Sequence, residues 1–207
     1  MSNKKAEPRI VLMPTDDQVK IAFEAYAMAV GKVAHAWNYL NEKLGILFST
    51  ILHTDPQISS AVWYSTDSDR TKQKMLKDAI AAVPAARWPK HCPSAQDDLL
   101  WLLNRCIELG DARNNAIHAP CILVTDASGT AMKAAPPIFS GHDRARRLDG
   151  KEILVEFDWC ERWAEELSLF TVTACAALRP SSNSWPDRPS KPHRKRKDEL
   201  NPLLPVR

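Results

Sequence analysis

Arg113, Asn114 and His118 fall within the short run RNNAIH, where a long apolar helical pattern comes to its end. These three side-chain types suit chemistry at a phosphodiester. An imidazole takes or gives a proton near neutral pH. A guanidinium offers planar, permanently charged donors to phosphate oxygens and to negative charge that develops as a bond breaks. A neighbouring carboxamide both donates and accepts, so it can orient either partner. The same residues also read as a solvated helix end, with His118 answering the helix dipole and Arg113 paired to a local carboxylate.

The helix that must position them carries an apolar stripe through Leu99, Leu103, Cys106 or Ile107, and Gly110. The next positions on that stripe are Asn114 and Ile117, so the buried face turns polar directly after Arg113. Asn114 and His118 stand four residues apart on one side of the helix. Arg113 lies roughly 140° around the axis from His118, within reach over the helix end because its side chain is long. Glu108 and Asp111 precede Asn114 in an acidic row. With the helix C-terminus they predict an imidazole more basic than a free one. Ser94 with Asp97 predicts the helix start, Asp standing in for the Glu of a capping box. Pro120 predicts a stop near Ala119.

Apolar residues over 16 to about 53 recur at steps of three and four: Val19, Phe23, Tyr26, Val30, Val33, Trp37, Leu40, Leu44, Leu47, Ile51. That is one sustained helical stripe, opened by Thr15-Asp16-Asp17 cap chemistry. Gly31 and Gly45 leave one long helix or two collinear ones open. Asp55-Pro56 begins a short helix, and 67–83 a further one with Met75, Ile80 and Val83 inward, ended by Pro84. Between Pro120 and Phe157 the period changes. CILVT, a DASG turn, TAMKA, and DG before KEILVEF predict short strands in a hairpin or ribbon, around a basic loop PPIFSGHDRARRL. Asp158 and Glu161 predict a capping box for a last helix facing inward through Trp163, Leu167, Phe170, Ala174 and Leu178. The expected fold is mainly α: an antiparallel bundle of about five helices with a small β-hairpin before the last one. The expected domain spans 15–179, with the β excursion at about 120–157. A flexible segment 1–14 and a basic, Pro-rich, disordered tail 180–207 flank it.

The chain has 207 residues, enough for one well-buried domain, and a formal net charge of +3. From residue 179 onward the balance is +5, which leaves the body near −2, so the basic character belongs to the tail. Five cysteines without a C-x-x-C pair read as structural thiols, and His91-Cys92 lacks a second half at metal-ligand spacing. No metal or other cofactor is expected, and no Gly-rich phosphate loop is present in the sequence. No apolar run suggests a signal peptide or a membrane span, which gives a cytoplasmic expectation.

RNNAIH resembles the Arg-x4-6-His signature of HEPN domains, in its common form with Asn after Arg, and the layout is similar over roughly residues 16–179. The β excursion and the tail lie outside that pattern. The resemblance implies a compact helical bundle with a long antiparallel helix pair. It also implies a metal-independent endoribonuclease acting on single-stranded RNA, as a homodimer whose two motifs meet. His118 would be the acid/base, Arg113 would hold the scissile phosphate and Asn114 would support the geometry. A 2′-hydroxyl would attack, leaving a cyclic phosphate and a 5′-hydroxyl. A toxin–antitoxin or defence setting, with an antitoxin or regulatory protein as partner, belongs to the same implication. The other reading is a non-catalytic helical dimer that binds RNA or a protein partner. Arg144, Arg146 and Arg147 in one basic loop, and Arg194, Lys195, Arg196 and Lys197 in the tail, are candidates for RNA contact. Trp185 could stack on a base. Gly110 suits close approach of a second helix, as a dimer seam would need.

Overall fold

A computed structural model describes residues 15–125, 132–137, 141–179, 184–196 and 199–200. The expectations for 1–14 and for the DASG turn lie outside these. The chain is mainly helical, with a two-stranded antiparallel hairpin before its last long helix.

Helix α1 (Asp16–Leu52) is a single uninterrupted rod across both glycines. Its start is a full capping box. The Thr15 hydroxyl accepts from the Gln18 N–H at 3.3 Å, and the Gln18 side chain accepts from the Thr15 N–H at 3.0 Å. The predicted stripe is buried from Val33 to Ile51, whereas Phe23 is 58% exposed, because the first turns of α1 outrun the helices they would pack against. Asp55 caps α2 (Pro56–Trp63), and Ser68 caps α3 (Asp69–Ala82). In α3 the deepest residues are Leu76 and Ile80, with Met75 and Val83 only partly covered. Helix α4 (Ala95–His118) has the expected bounds, but Ser94 makes no side-chain cap to its backbone; its hydroxyl hydrogen-bonds Asp98 instead.

Strands β1 (Ile122–Thr125) and β2 (Met132–Ala135) pair antiparallel, Ile122 opposite Ala135, and the hairpin packs on α1. A single helical turn, α5 (Asp143–Arg146), then precedes α6 (Ile153–Ala177). KEILVEF is therefore not a strand. Ile153, Val155, Glu156 and Phe157 are all buried in the first turns of α6, and a helix covered on several sides yields the same unbroken apolar run as a buried strand. Asp158, expected as a cap, lies inside the helix and pairs with Arg162 at 2.8 Å.

α1 and α6 form the most extensive helix pair and run in the same direction: Tyr26 meets Phe157 near their starts and Thr50 meets Cys175 near their ends. α4 runs antiparallel to α3, where Arg70 joins Asp111 at 2.7 Å and Gln96 reaches the Ile80 carbonyl at 3.2 Å. It is also antiparallel to α6, with Trp101 against Phe170 at 5.7 Å. Leu40, Leu44, Leu47, Leu99, Leu102, Leu103, Trp163 and Leu167 fill the centre. Each such side chain taken from water contributes roughly 1.5–3 kcal/mol against the entropy of ordering it. None of the helices among the described residues is long and apolar enough to cross a membrane.

Residues 184–196 have neither helix nor strand, as a Pro-rich polar composition dictates, yet they are not detached from the body. Trp185 donates to Asp98 at 2.7 Å, and Arg188 pairs with the same carboxylate. The Trp159 indole N–H donates to the Pro192 carbonyl at 2.8 Å, and Arg194 and Lys195 each reach a carboxylate of α6 at 3.0 Å, on Glu156 and Asp158. The Arg194 guanidinium also lies 4.3 Å from the centre of the Trp159 ring. A segment with little apolar surface is thus strapped down by charge and by indole faces.

Candidate active site at the end of the fourth helix

The site is built on a tryptophan. Gly110 leaves room for Trp37 of α1 against the backbone of α4: a Cβ placed there would meet Trp37 Cη2 at 3.0 Å. The expectation that Gly110 receives a helix of a second copy is corrected, since the Trp37 ring of the same chain fills that space. The Trp37 indole N–H donates to the Asp69 carboxylate at 2.8 Å, which fixes the ring. The Arg113 guanidinium carbon stands 5.4 Å from the ring centre, and Nη1 donates to Asn114 Oδ1 at 2.8 Å. Arg113 Nε is buried with no hydrogen-bond partner among the described residues. Burial lowers the Arg113 pKa, with Asp69 and Cys160 opposing it. The group stays cationic, because a guanidinium does not deprotonate in proteins. Arg113 is thus a partly desolvated cation with its rotamer held by a ring below and a carboxamide beside it.

His118 is the last residue of α4 and is exposed. Its imidazole is held below the usual histidine value, first by partial desolvation and then by the Arg144 and Arg113 charges. This reverses the expectation of a more basic ring. The carboxylates expected to raise it are engaged elsewhere, Asp111 with Arg70 at 2.7 Å and Glu108 with Arg105 at 2.8 Å. In their place α5 supplies Arg144. At neutral pH the imidazole is uncharged and has a lone pair to offer.

The remaining basic candidates divide. Arg144 joins the His118 environment. Arg146 turns back on its own turn, to Asp143 at 2.9 Å and the Gly141 carbonyl at 2.8 Å. Arg147 opens onto a cavity beside α4. Arg194 and Lys195 neutralise α6 as described, and Arg196 pairs with Glu199 at 3.2 Å, so these three do not form a free basic tail. Lys197 lies outside the described residues. Trp185 packs edge-on to Phe170 at 6.4 Å and is a packing residue rather than an open stacking platform.

The cysteines are free thiols, four of them buried. Burial pushes Cys160 up to about 12 and Cys175 up to about 11, which makes both poor nucleophiles. Sequence reasoning took Trp37 for plain core and did not single out Asp69, Asn115 or Lys151. The spacing of Trp37 on α1 carries no sign of Gly110, which is far away in the chain. Compared with known proteins, the chain matches no family model, no curated protein and no solved structure.

Proposed function

We propose that the chain is a metal-independent endoribonuclease of the HEPN type, cleaving single-stranded RNA as a homodimer. One observation carries this reading: a neutral, solvent-open imidazole at His118 and a half-buried guanidinium at Arg113 share one helix end, with burial, then Arg144, then Arg113 lowering the pKa of the base. The neutral imidazole takes the proton of a ribose 2′-hydroxyl, and the freed oxygen attacks the adjacent phosphorus. Arg113 meets the charge that develops on the phosphoryl oxygens. Asn114 occupies Nη1, so the outer face of the fork remains for phosphate. The departing 5′-oxygen takes that proton back from the His118 imidazolium, which restores the neutral base. The products are a 2′,3′-cyclic phosphate and a 5′-hydroxyl.

Incubation of single-stranded RNA with the purified protein in excess EDTA, followed by analysis of the fragment ends, tests the reading. Cyclic phosphate ends are expected. Fragments with 5′-phosphates, or none at all, contradict it. The second reading, a non-catalytic module for a protein partner, draws support from the exposed apolar side chains Ile21, Phe23 and Met28 on α1. It predicts binding without cleavage.

A further inference from the structure

Where the end of α4, the turn α5, the start of α6 and the tail converge lies an open cavity of about 390 Å³. Asn115, Arg147, Lys151, Glu156 and Arg194 supply its polar lining. Glu156 is buried and already served, since Arg194 donates to both of its carboxylate oxygens. Arg147 and Lys151 are exposed and pair with no carboxylate among the described residues. The lining thus holds three cations around one neutralised anion. Such a concentration of like charge in a concave surface raises the local affinity for an anion.

The cavity adjoins the proposed reaction site. Asn115 follows Asn114 on α4, roughly 100° around the axis. Arg144 of α5 lies in the electrostatic surroundings of His118, and Arg147, the C-cap of that turn, lines the cavity. At 1.5 Å per residue their Cα atoms lie about 4.5 Å apart along the axis of the turn.

We propose that this cavity is a phosphate subsite, taking the RNA backbone phosphate next to the one that reacts. Arg147 and Lys151 supply the charge, and the Asn115 carboxamide donates a hydrogen bond. Arg194, delivered by the tail, cancels the Glu156 carboxylate that would otherwise repel the ligand. The neighbour relation rests on the ribonuclease reading; the anion site itself does not.

The test uses the full chain and a single-stranded 2′-O-methyl oligonucleotide, which lacks the attacking hydroxyl and so reports binding alone. Fluorescence anisotropy over a salt series compares wild type with the double variant Arg147→Ala/Lys151→Ala. Arg87→Ala/Lys90→Ala serves as a charge-matched control just before the start of α4, whose first residue stands roughly 30 Å from Asn115 by helix rise. Both pairs are exposed, so neither substitution threatens folding. The subsite predicts at least a tenfold loss for the first variant and less than twofold for the control. The slope of log affinity against log salt should fall by about 0.7 for the one phosphate of a single strand that the subsite neutralises. Equal losses in both variants, or no binding by wild type, overturn the proposal. Cleavage of unmodified RNA is scored separately. A wild type that binds selectively but never cleaves sinks the ribonuclease reading and leaves the subsite standing. Cleavage with KM unchanged in Arg147→Ala/Lys151→Ala does the reverse.

Discussion

Gly110→Ala adds one methyl group beneath the ring that carries Arg113. The new Cβ stands 3.0 Å from Trp37 Cη2, inside the optimum of about 3.5–4.0 Å for two carbons. Trp37 has little freedom to retreat: it is 4% exposed and its indole is tied to Asp69 at 2.8 Å. Alanine in a helix interior gains about 1 kcal/mol over glycine. Overpacking a filled site costs about 1–3 kcal/mol. The balance is a loss on the order of 1 kcal/mol, or about 2–4 °C in Tm for a chain of this size. Gly31 lies in a helix too, but its added Cβ meets nothing within 4 Å. Gly31→Ala therefore keeps the helix gain and should be stabilised by up to about 1 kcal/mol. Urea unfolding of the two variants, compared at equal m-values, should place them on opposite sides of wild type. Cleavage by Gly110→Ala should fall while the protein remains folded, because a tilted ring misplaces the guanidinium. A Gly110→Ala protein as stable as Gly31→Ala would refute the reasoning, since Trp37 would then be free to move and could not hold Arg113.

Arg144→Gln should raise the pKa of His118 toward its ordinary value, because one of the charges that lowers it is gone. The base must be neutral to act, so the acidic limb of the kcat/KM profile should move to higher pH; a limb that stays put contradicts the placement of Arg144. Arg113→Lys should cut cleavage by about 100-fold with little change in Tm, because an ammonium cannot hold Asn114 Oδ1 and a phosphate together; full activity would show that only charge matters. Deleting residues 184–207 strips Asp98 and Glu156 of their cations. Removing one partner of a buried pair costs about 3–5 kcal/mol, and water reaching the uncovered carboxylates should reduce this to about 2 kcal/mol. An unchanged urea midpoint would show that the strap is idle. Burial pushes the Asp98 carboxyl up, but hydrogen bonds from Ser94, Arg188 and Trp185 outweigh it and hold the group below its usual value. Its stabilising contribution is therefore present above the unfolded carboxylate pKa and lost as pH falls through the lower folded one. Tail release followed by Trp185 fluorescence should occur in that acidic window.

The helices were legible where one face is apolar and the ends carry cap residues, as in α1 with Thr15 and α2 with Asp55-Pro56. Local chemistry decides such elements. KEILVEF failed because α6 is covered on several sides there, and a run buried all round has no period to read. Phe23 failed for the opposite reason: periodicity marks a face but not whether anything packs against it. At the site, the residue types and their place at the end of α4 were legible. The sign of the His118 shift was not, because it depends on Arg144 approaching and on Asp111 turning to Arg70, both tertiary events. The tail composition correctly denied regular structure over 184–196, but it could not disclose that Asp98, Glu156 and Trp159 await its charges.

The most direct test of the central claim is the rate of single-stranded RNA cleavage by His118→Ala beside wild type, in excess EDTA and after purification that excludes contaminating nuclease. His118 is exposed at the helix end, so the variant should melt close to wild type. Cleavage by wild type and its loss in this folded variant is the predicted result. An unaltered rate in His118→Ala would contradict the assignment of His118 as the base.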